Sequence, residues 1–248
     1  VLAEQSYRQD LACICASPWL DKIMKNNFHR WSRYIWLAYD KNIYQTNHDE
    51  VRLKYQNLED DSIAHIAVYA RTHTERRCVE LALKSLEYLS KINSNFVVHF
   101  FGDDNLNVVP TYPSIDHGIL CHEDLSKLYQ DCTIGLSFSA TNYSLLPQEM
   151  MAAGLPVFDL KVDSTESIYP NDVINLMEPD PECIASTLNR FLANSQLLKQ
   201  QALLALDWVT QFSWERAGND FEKALLERLS ESDCKQNSNS YTIKLVDQ

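Results

Sequence analysis

The chain has 248 residues, 45% of them hydrophobic, which suits one large domain or two small ones and argues against a disordered chain. Its 22 basic and 34 acidic side chains give a formal charge of −12, which excludes a general electrostatic footprint for nucleic acid or an anionic membrane surface and confines any phosphate chemistry to a local basic pocket. Seven cysteines, an odd number scattered mostly through apolar runs, read as reduced thiols of a cytosolic protein. No run approaches the ~20 apolar residues of a membrane span, so the expected location is cytoplasmic, with a peripheral place at the membrane left to a partner domain.

In chain order, residues 11–16 form a short apolar run before Ser17-Pro18, a buried strand followed by a helix with Ser17 as N-cap and Pro18 at its first position. Residues 34–39 are a second buried strand, and the polar stretch 41–50 has loop character, so a domain junction falls there or slightly later, by Asp61. From Ser62 the alternation becomes regular: strand 63–70, amphipathic helix 75–92, strand 96–102, strand 118–121, helix 123–130, strand 133–138, helix 144–153, strand 155–160 and a short strand near 173–177. This pattern predicts an α/β fold, a Rossmann-like parallel sheet with helices on both faces. Helices over 181–193, 195–209 and 214–229 close it. Residues 231–240, rich in Ser and Asn, read as a linker, and 241–246 as a strand. The predicted organisation is therefore 1–50 as the remnant of a preceding Rossmann domain and hinge, 51–230 as a ligand-binding domain, and 231–248 as a linker into a further segment.

Open parallel sheets bind ligands beyond the carboxyl ends of their strands, which directs attention to the loops after Ala70, Gly102, Leu120 and Phe138. The first carries Arg71, Arg76 and Arg77 into a helix, a cluster whose forked donors suit a diphosphate; surface ion pairs with Glu75 or Glu80 are the alternative. The last runs through Ser139, Thr141, Asn142 and Ser144 into the helix holding Glu149. The amides near Ser144 and Leu145 are open to an anion there, and the Glu149 carboxylate can accept two hydrogen bonds from a ribose diol. His73 and His117 share this edge but lack any ligand spacing, so no metal site is expected. Asp103 and Asp104 are explained by a turn after a strand.

These residues carry a family resemblance. Glu149-Met150-Met151-Ala152-Ala153-Gly154-Leu155-Pro156-Val157 resembles the E-A-x-A-x-G-x-P-V signature of the retaining glycosyltransferases with two facing Rossmann domains, the GT-B architecture, with Met150 in place of the first Ala. Arg71 and Arg76 have the separation of that family's Arg and Lys, which hold the donor diphosphate. Gly118, Ile119 and Leu120, leading into Glu123, Asp124 and Leu125, are similar to the segment flanking the nucleotide base, and Phe212-Ser213-Trp214-Glu215 resembles the last-helix motif. The resemblance covers 63–229, more weakly back to Leu11.

The resemblance implies the C-terminal, donor-binding half of a GT-B enzyme that transfers a sugar with retention and without cofactor or metal. Arg71 and Arg76 would be its catalytic residues, and Glu149, Ser144, Leu145, Thr141, Asn142, Gly118, Ile119 and Leu120 would bind the donor. The look is closest to bacterial rhamnosyltransferases of surface-glycan assembly, which implies dTDP-rhamnose as donor. The implied partners are a nucleotide-sugar donor, a glycan or lipid-linked acceptor, and a facing N-terminal domain missing from this chain. Thr141 stands where many relatives carry a second Glu that contacts the donor sugar. A non-catalytic nucleotide-sugar-binding module and a GT-B-fold sugar epimerase are the alternative readings.

Overall fold

The structure, a computed structural model, describes residues 2–7, 11–58 and 62–242, the side chains of 2, 3 and 232–242 excepted. Two compact units divide the chain, one made of Val1–Leu37 with Phe212–Gln248 and the other of Ala38–Gln211.

In the first unit, α1 (Leu2–Tyr7) precedes β1 (Cys13–Cys15), α2 (Pro18–Phe28) and β2 (Ser32–Tyr34), and the two strands pair in parallel with Cys13 opposite Ser32. The Ser17 hydroxyl accepts from the Leu20 amide at 3.2 Å and Pro18 opens α2, the predicted cap. The expected strand over 34–39 lies earlier instead: β1 runs straight into the Ser17 cap, so its partner finds no further strand to pair with beyond Ile35, whose amide bonds to the Cys15 carbonyl at 2.9 Å.

The second unit continues with α3 (His48–Gln56), β3 (Ala64–Tyr69), a 3-10 turn (Glu75–Arg77), α4 (Val79–Ile92), β4 (Phe96–Phe101), β5 (Ser114–Asp116), α5 (His122–Asp131), β6 (Ile134–Leu136), α6 (Leu146–Ala152), β7 (Val157–Leu160), α7 (Asp163–Glu166), β8 (Asn175–Met177), α8 (Pro181–Leu192) and α9 (Ser195–Val209). α10 (Trp214–Thr242) then returns to the first unit, where Arg33 on β2 pairs with Glu227. Six strands form one parallel sheet in the order β5-β4-β3-β6-β7-β8. The chain steps one way from β3 to β4 and the other way from β6 to β7, so right-handed crossovers put α4 and α6 on opposite faces. α8 packs beside α4, and α9 beside α3 and α6, which completes a layer on each side. The core of Ile66, Leu86, Leu89, Phe100, Ile134, Phe158, Leu188 and Leu198 lies within these layers.

Four local readings are corrected. The loop expected over 41–50 ends in α3, because Asn47 and Glu50 form a reciprocal capping box that satisfies orphan amides of the first turn. The helix expected from Glu75 is broken at Cys78, which takes a left-handed conformation (φ 48°) between the 3-10 turn and α4. The strand expected over 118–121 is β5, a few residues earlier. Gly118 (φ 65°) turns the chain out of the sheet after it, a conformation that costs a glycine little. The linker expected over 231–240 has helical backbone through Thr242: neither Pro nor Gly follows Gly218, so nothing stops the helix. Tyr241 and Thr242 belong to that helix, and the rest of the expected final strand lies outside the described residues, as do residues 59–61 near the expected domain junction.

Candidate functional site

The strand order reverses between β3 and β6, and the crevice beyond their carboxyl ends is where an open parallel sheet takes its ligand. The loops leaving these strands are residues 70–78 and 137–145, which carry the predicted arginines and the predicted anion loop. The Ala140 amide donates to the Arg76 carbonyl at 2.8 Å, which ties one loop to the other.

Arg71 is exposed, and its Nε donates to His73 Nε2 at 2.7 Å. Asp103, at the end of β4, accepts from the Thr72 amide at 2.8 Å and from its hydroxyl, and lies 3.2 Å from His73 Nδ1. These bonds, the Thr72 hydroxyl first, hold the Asp103 carboxyl well below the ordinary carboxylate range. Asp103 thus staples the arginine loop to β4. Arg76 is half-buried and reaches Ser139 Oγ at 3.4 Å.

Arg77, counted in the arginine cluster but given no donor-site role there, is the buried member of the three, 6% exposed. Its guanidinium lies 4.8 Å over the Tyr69 ring and donates to Ser144 Oγ at 3.2 Å, while Nε and Nη1 have no hydrogen-bond partner among the described residues. Burial, and secondarily the Arg76 charge, lowers its pKa. Opposite it stands Asp159 on β7, 1% exposed, which accepts from the Ser139 amide at 3.0 Å and the Leu160 amide at 2.7 Å. Burial pushes the Asp159 carboxyl up to about 7 against the lowering effect of those amides and of Arg77. The 137–145 loop is thereby clamped at Ser139 by Asp159 and at Ser144 by Arg77. A charged residue inside the apolar strand reading Val157-Phe158-Asp159-Leu160 was the available signal for Asp159, since such residues are costly unless satisfied.

Within the loop, Thr141 and Asn142 are exposed, the Ser139 hydroxyl donates to the Asn142 carbonyl, and the Leu146 amide donates to Ser144 Oγ at 3.3 Å. Glu149, in the first turn of α6, is 9% exposed, yet its carboxylate accepts no hydrogen bond from the described residues. Burial raises its pKa, and the neighbouring His122 partly offsets this. His122 opens α5, which packs against α6, and its Nδ1 lies 2.7 Å from the Tyr44 hydroxyl. Neither Tyr44 nor His122 was singled out in the sequence, because nothing local marks a contact across 78 residues. Gly118, Ile119 and Leu120 form the connection entering α5, with Ile119 exposed and the Gly118 amide bonded to Asp116 Oδ1 at 3.0 Å. His117 ends a row of imidazoles across the sheet, 2.9 Å from His99, which is 2.8 Å from His65. Burial and its two neighbours lower His99 to about 4.

Six of the seven cysteines fall among described side chains and all six are free, with Cys15 and Cys132 buried and Cys121 and Cys183 exposed. Among the described residues no helix is long and apolar enough to cross a membrane.

The model of the family described as WsaF, C-terminal domain, matches residues 64–189. The O-antigen biosynthesis protein RfbC of Myxococcus xanthus is 31% identical over 111 residues, 44% of this chain and 9% of RfbC. Among solved structures, sucrose-phosphate synthase of Thermosynechococcus elongatus superposes with a TM-score of 0.66 at 17% identity, over 89% of this chain and 58% of that one. Anabaena HepE in complex with UDP-glucose gives 0.67 at 15% identity, over 89% and 64%. The chain thus spans less than two thirds of these relatives. Its fold is that of the C-terminal domain of the GT-B architecture. With half of its length matched by the family model, the chain belongs to the WsaF C-terminal domain family.

Proposed function

We propose that this chain is the nucleotide-sugar-binding half of a retaining glycosyltransferase of glycan assembly. The observation that carries the reading is Glu149, a largely buried residue whose carboxylate accepts no hydrogen bond from the described residues, set on the helix that follows the loop at the same strand-order reversal as the arginine loop. A carboxylate held in a largely apolar setting with its oxygens uncommitted is free to accept from a ligand hydroxyl. In this reading the donor diphosphate lies between Arg71 and Arg76 and the amides of Ser144 and Leu145, with Thr141 and Asn142 beside it. Glu149 holds the pentose, and Gly118, Ile119 and Leu120 flank the base.

The reaction breaks the bond from the anomeric carbon to the diphosphate oxygen and forms one from that carbon to the acceptor oxygen on the same face, with loss of the acceptor proton. Charge grows on the leaving diphosphate, where the guanidinium groups stabilise it most in the transition state. Glu149 and the base contacts fix register, so their contribution is positioning. The acceptor, a glycan or a lipid-linked glycan, would be presented by a facing N-terminal domain. The sequence resemblance to rhamnosyltransferases makes dTDP-rhamnose the first donor to test, and the match to RfbC supports a role in surface-polysaccharide assembly.

Titration calorimetry of this chain with dTDP, UDP and GDP and their sugars tests the reading. One nucleotide class should bind, and Arg71→Ala and Arg76→Ala should each weaken it about tenfold or more at unchanged Tm. Absence of binding by every nucleotide would overturn it. The exposed Thr141, in place of a carboxylate, favours a second reading, a binding module without turnover. Transfer or donor hydrolysis by the full-length protein separates the two.

A further inference from the structure

A serine hydroxyl has two acceptor positions and one proton to donate. At Ser144 both acceptor positions are filled by groups that can only donate, Arg77 Nη2 at 3.2 Å and the Leu146 amide at 3.3 Å. The Ser144 proton must therefore point elsewhere, and no described residue accepts it. Ser139, at the other end of the loop, is the contrast: its Oγ accepts from Arg76 Nη1 at 3.4 Å, and its proton goes to the Asn142 carbonyl. The Leu146 amide is spent on Ser144 Oγ, so the hydroxyl, and not that amide, is left to face a ligand here. Ser144 is half-buried rather than sealed in the core. Behind it stands a cation without a counter-charge. Arg77 is 6% exposed, Nε and Nη1 have no partner among the described residues, and Nη2 bonds to Ser144, so none of its nitrogens bonds a carboxylate. Asp159 spends its oxygens on the Ser139 and Leu160 amides and the Ser137 hydroxyl. A cation donating to Oγ polarises the O–H bond, which suits that proton to an anionic oxygen. The bond from the Ala140 amide to the Arg76 carbonyl, 2.8 Å, holds this loop against the arginine loop.

We propose, resting on the donor-site reading above, that the Ser144 hydroxyl donates its proton to a diphosphate oxygen of the nucleoside diphosphate, and that Arg77 is the positioning residue that aims it. Arg77 does not touch the ligand. It fills one acceptor position of Ser144 Oγ and acts through that hydroxyl, unlike Arg71 and Arg76. The contact is made by the side chain of Ser144, so it is separable by mutation from the backbone amides of the same loop.

The test is calorimetry with dTDP and an NMR shift titration with thymidine, or UDP and uridine if uracil is the base bound. Ser144→Ala keeps the backbone amide and should bind the diphosphate about tenfold more weakly, with nucleoside affinity hardly changed. Ser144→Thr keeps the hydroxyl and should stay within about threefold of wild type. Arg77→Met, which keeps the bulk against Tyr69 but has no donor, should cost about three- to fivefold in diphosphate affinity. Added to Ser144→Ala, it should cost almost nothing further, a coupling that general loosening of the fold would not produce. Equal diphosphate affinity in wild type and Ser144→Ala overturns the inference while leaving the donor reading intact. So does a Ser144→Ala loss shared equally by the nucleoside, which would make the hydroxyl a support of the loop alone. Full additivity of the two substitutions overturns the role of Arg77. Failure of the wild type to bind any nucleoside diphosphate overturns both the inference and the donor reading.

Discussion

Asp159→Asn should remove a pH dependence of stability that the buried carboxylate imposes on the sheet. Asp159 is fully enclosed on β7, and burial raises its pKa from 3.8 to about 7. A carboxyl whose folded value is raised is no burden when protonated in both states. As pH climbs above 3.8 the unfolded chain ionises and the folded chain resists, so stability falls by about 1.4 kcal/mol per pH unit until the folded group itself ionises near pH 7. Between pH 5 and pH 8 the difference amounts to about 2–3 kcal/mol, an order-of-magnitude figure. Asparagine keeps the shape and an oxygen for the Ser139 and Leu160 amides but cannot ionise. Urea unfolding of both proteins across this range, followed by circular dichroism, should show the variant gaining about 2–3 kcal/mol on wild type as pH rises. Parallel pH profiles would refute the reasoning, because they would mean that the carboxyl is either unburdened in the fold or already satisfied by Arg77.

The packing of the motif helix gives further predictions. Gly154 has φ +75°, and an added Cβ would lie 2.6 Å from Val51 Cγ2 and 3.0 Å from Thr46 Cγ2. Gly154→Ala should therefore destabilise by about 2–4 kcal/mol and lower Tm by about 5–15 °C in a thermal melt. The Tyr55 hydroxyl donates to the Thr133 carbonyl at 3.0 Å in the interior, so Tyr55→Phe should cost about 1–3 kcal/mol in urea unfolding, with nucleotide affinity unchanged.

The candidate site is legible in the sequence where local chemistry and strand order coincide. Arg71, Arg76 and the 139–145 loop follow apolar runs, and the strand-order reversal confirms only that such loops face one crevice. Glu149 is proposed from its motif, but the state of its carboxylate, largely enclosed and without a hydrogen bond from the described residues, depends on what the fold places around it. Some misses were avoidable: the Asn47–Glu50 box is a helix signal in plain sequence, and Asp159 is a charge in an apolar strand. The position of β5 was not avoidable, because residues 114–116 carry no apolar pattern and become a strand only by pairing with β4.

By itself the sequence determined the alternation of strands and helices, the loops that bear arginines, and the helix that bears Glu149, because periodicity and caps are properties of neighbours along the chain. Only the tertiary structure decided which arginine is buried, that Asp159 and Arg77 clamp the 137–145 loop at Ser139 and Ser144, and that Tyr44 meets His122 from 78 residues away. Burial, and the choice of hydrogen-bond partner it forces on a polar group, are set by residues remote in sequence, and no local pattern encodes them.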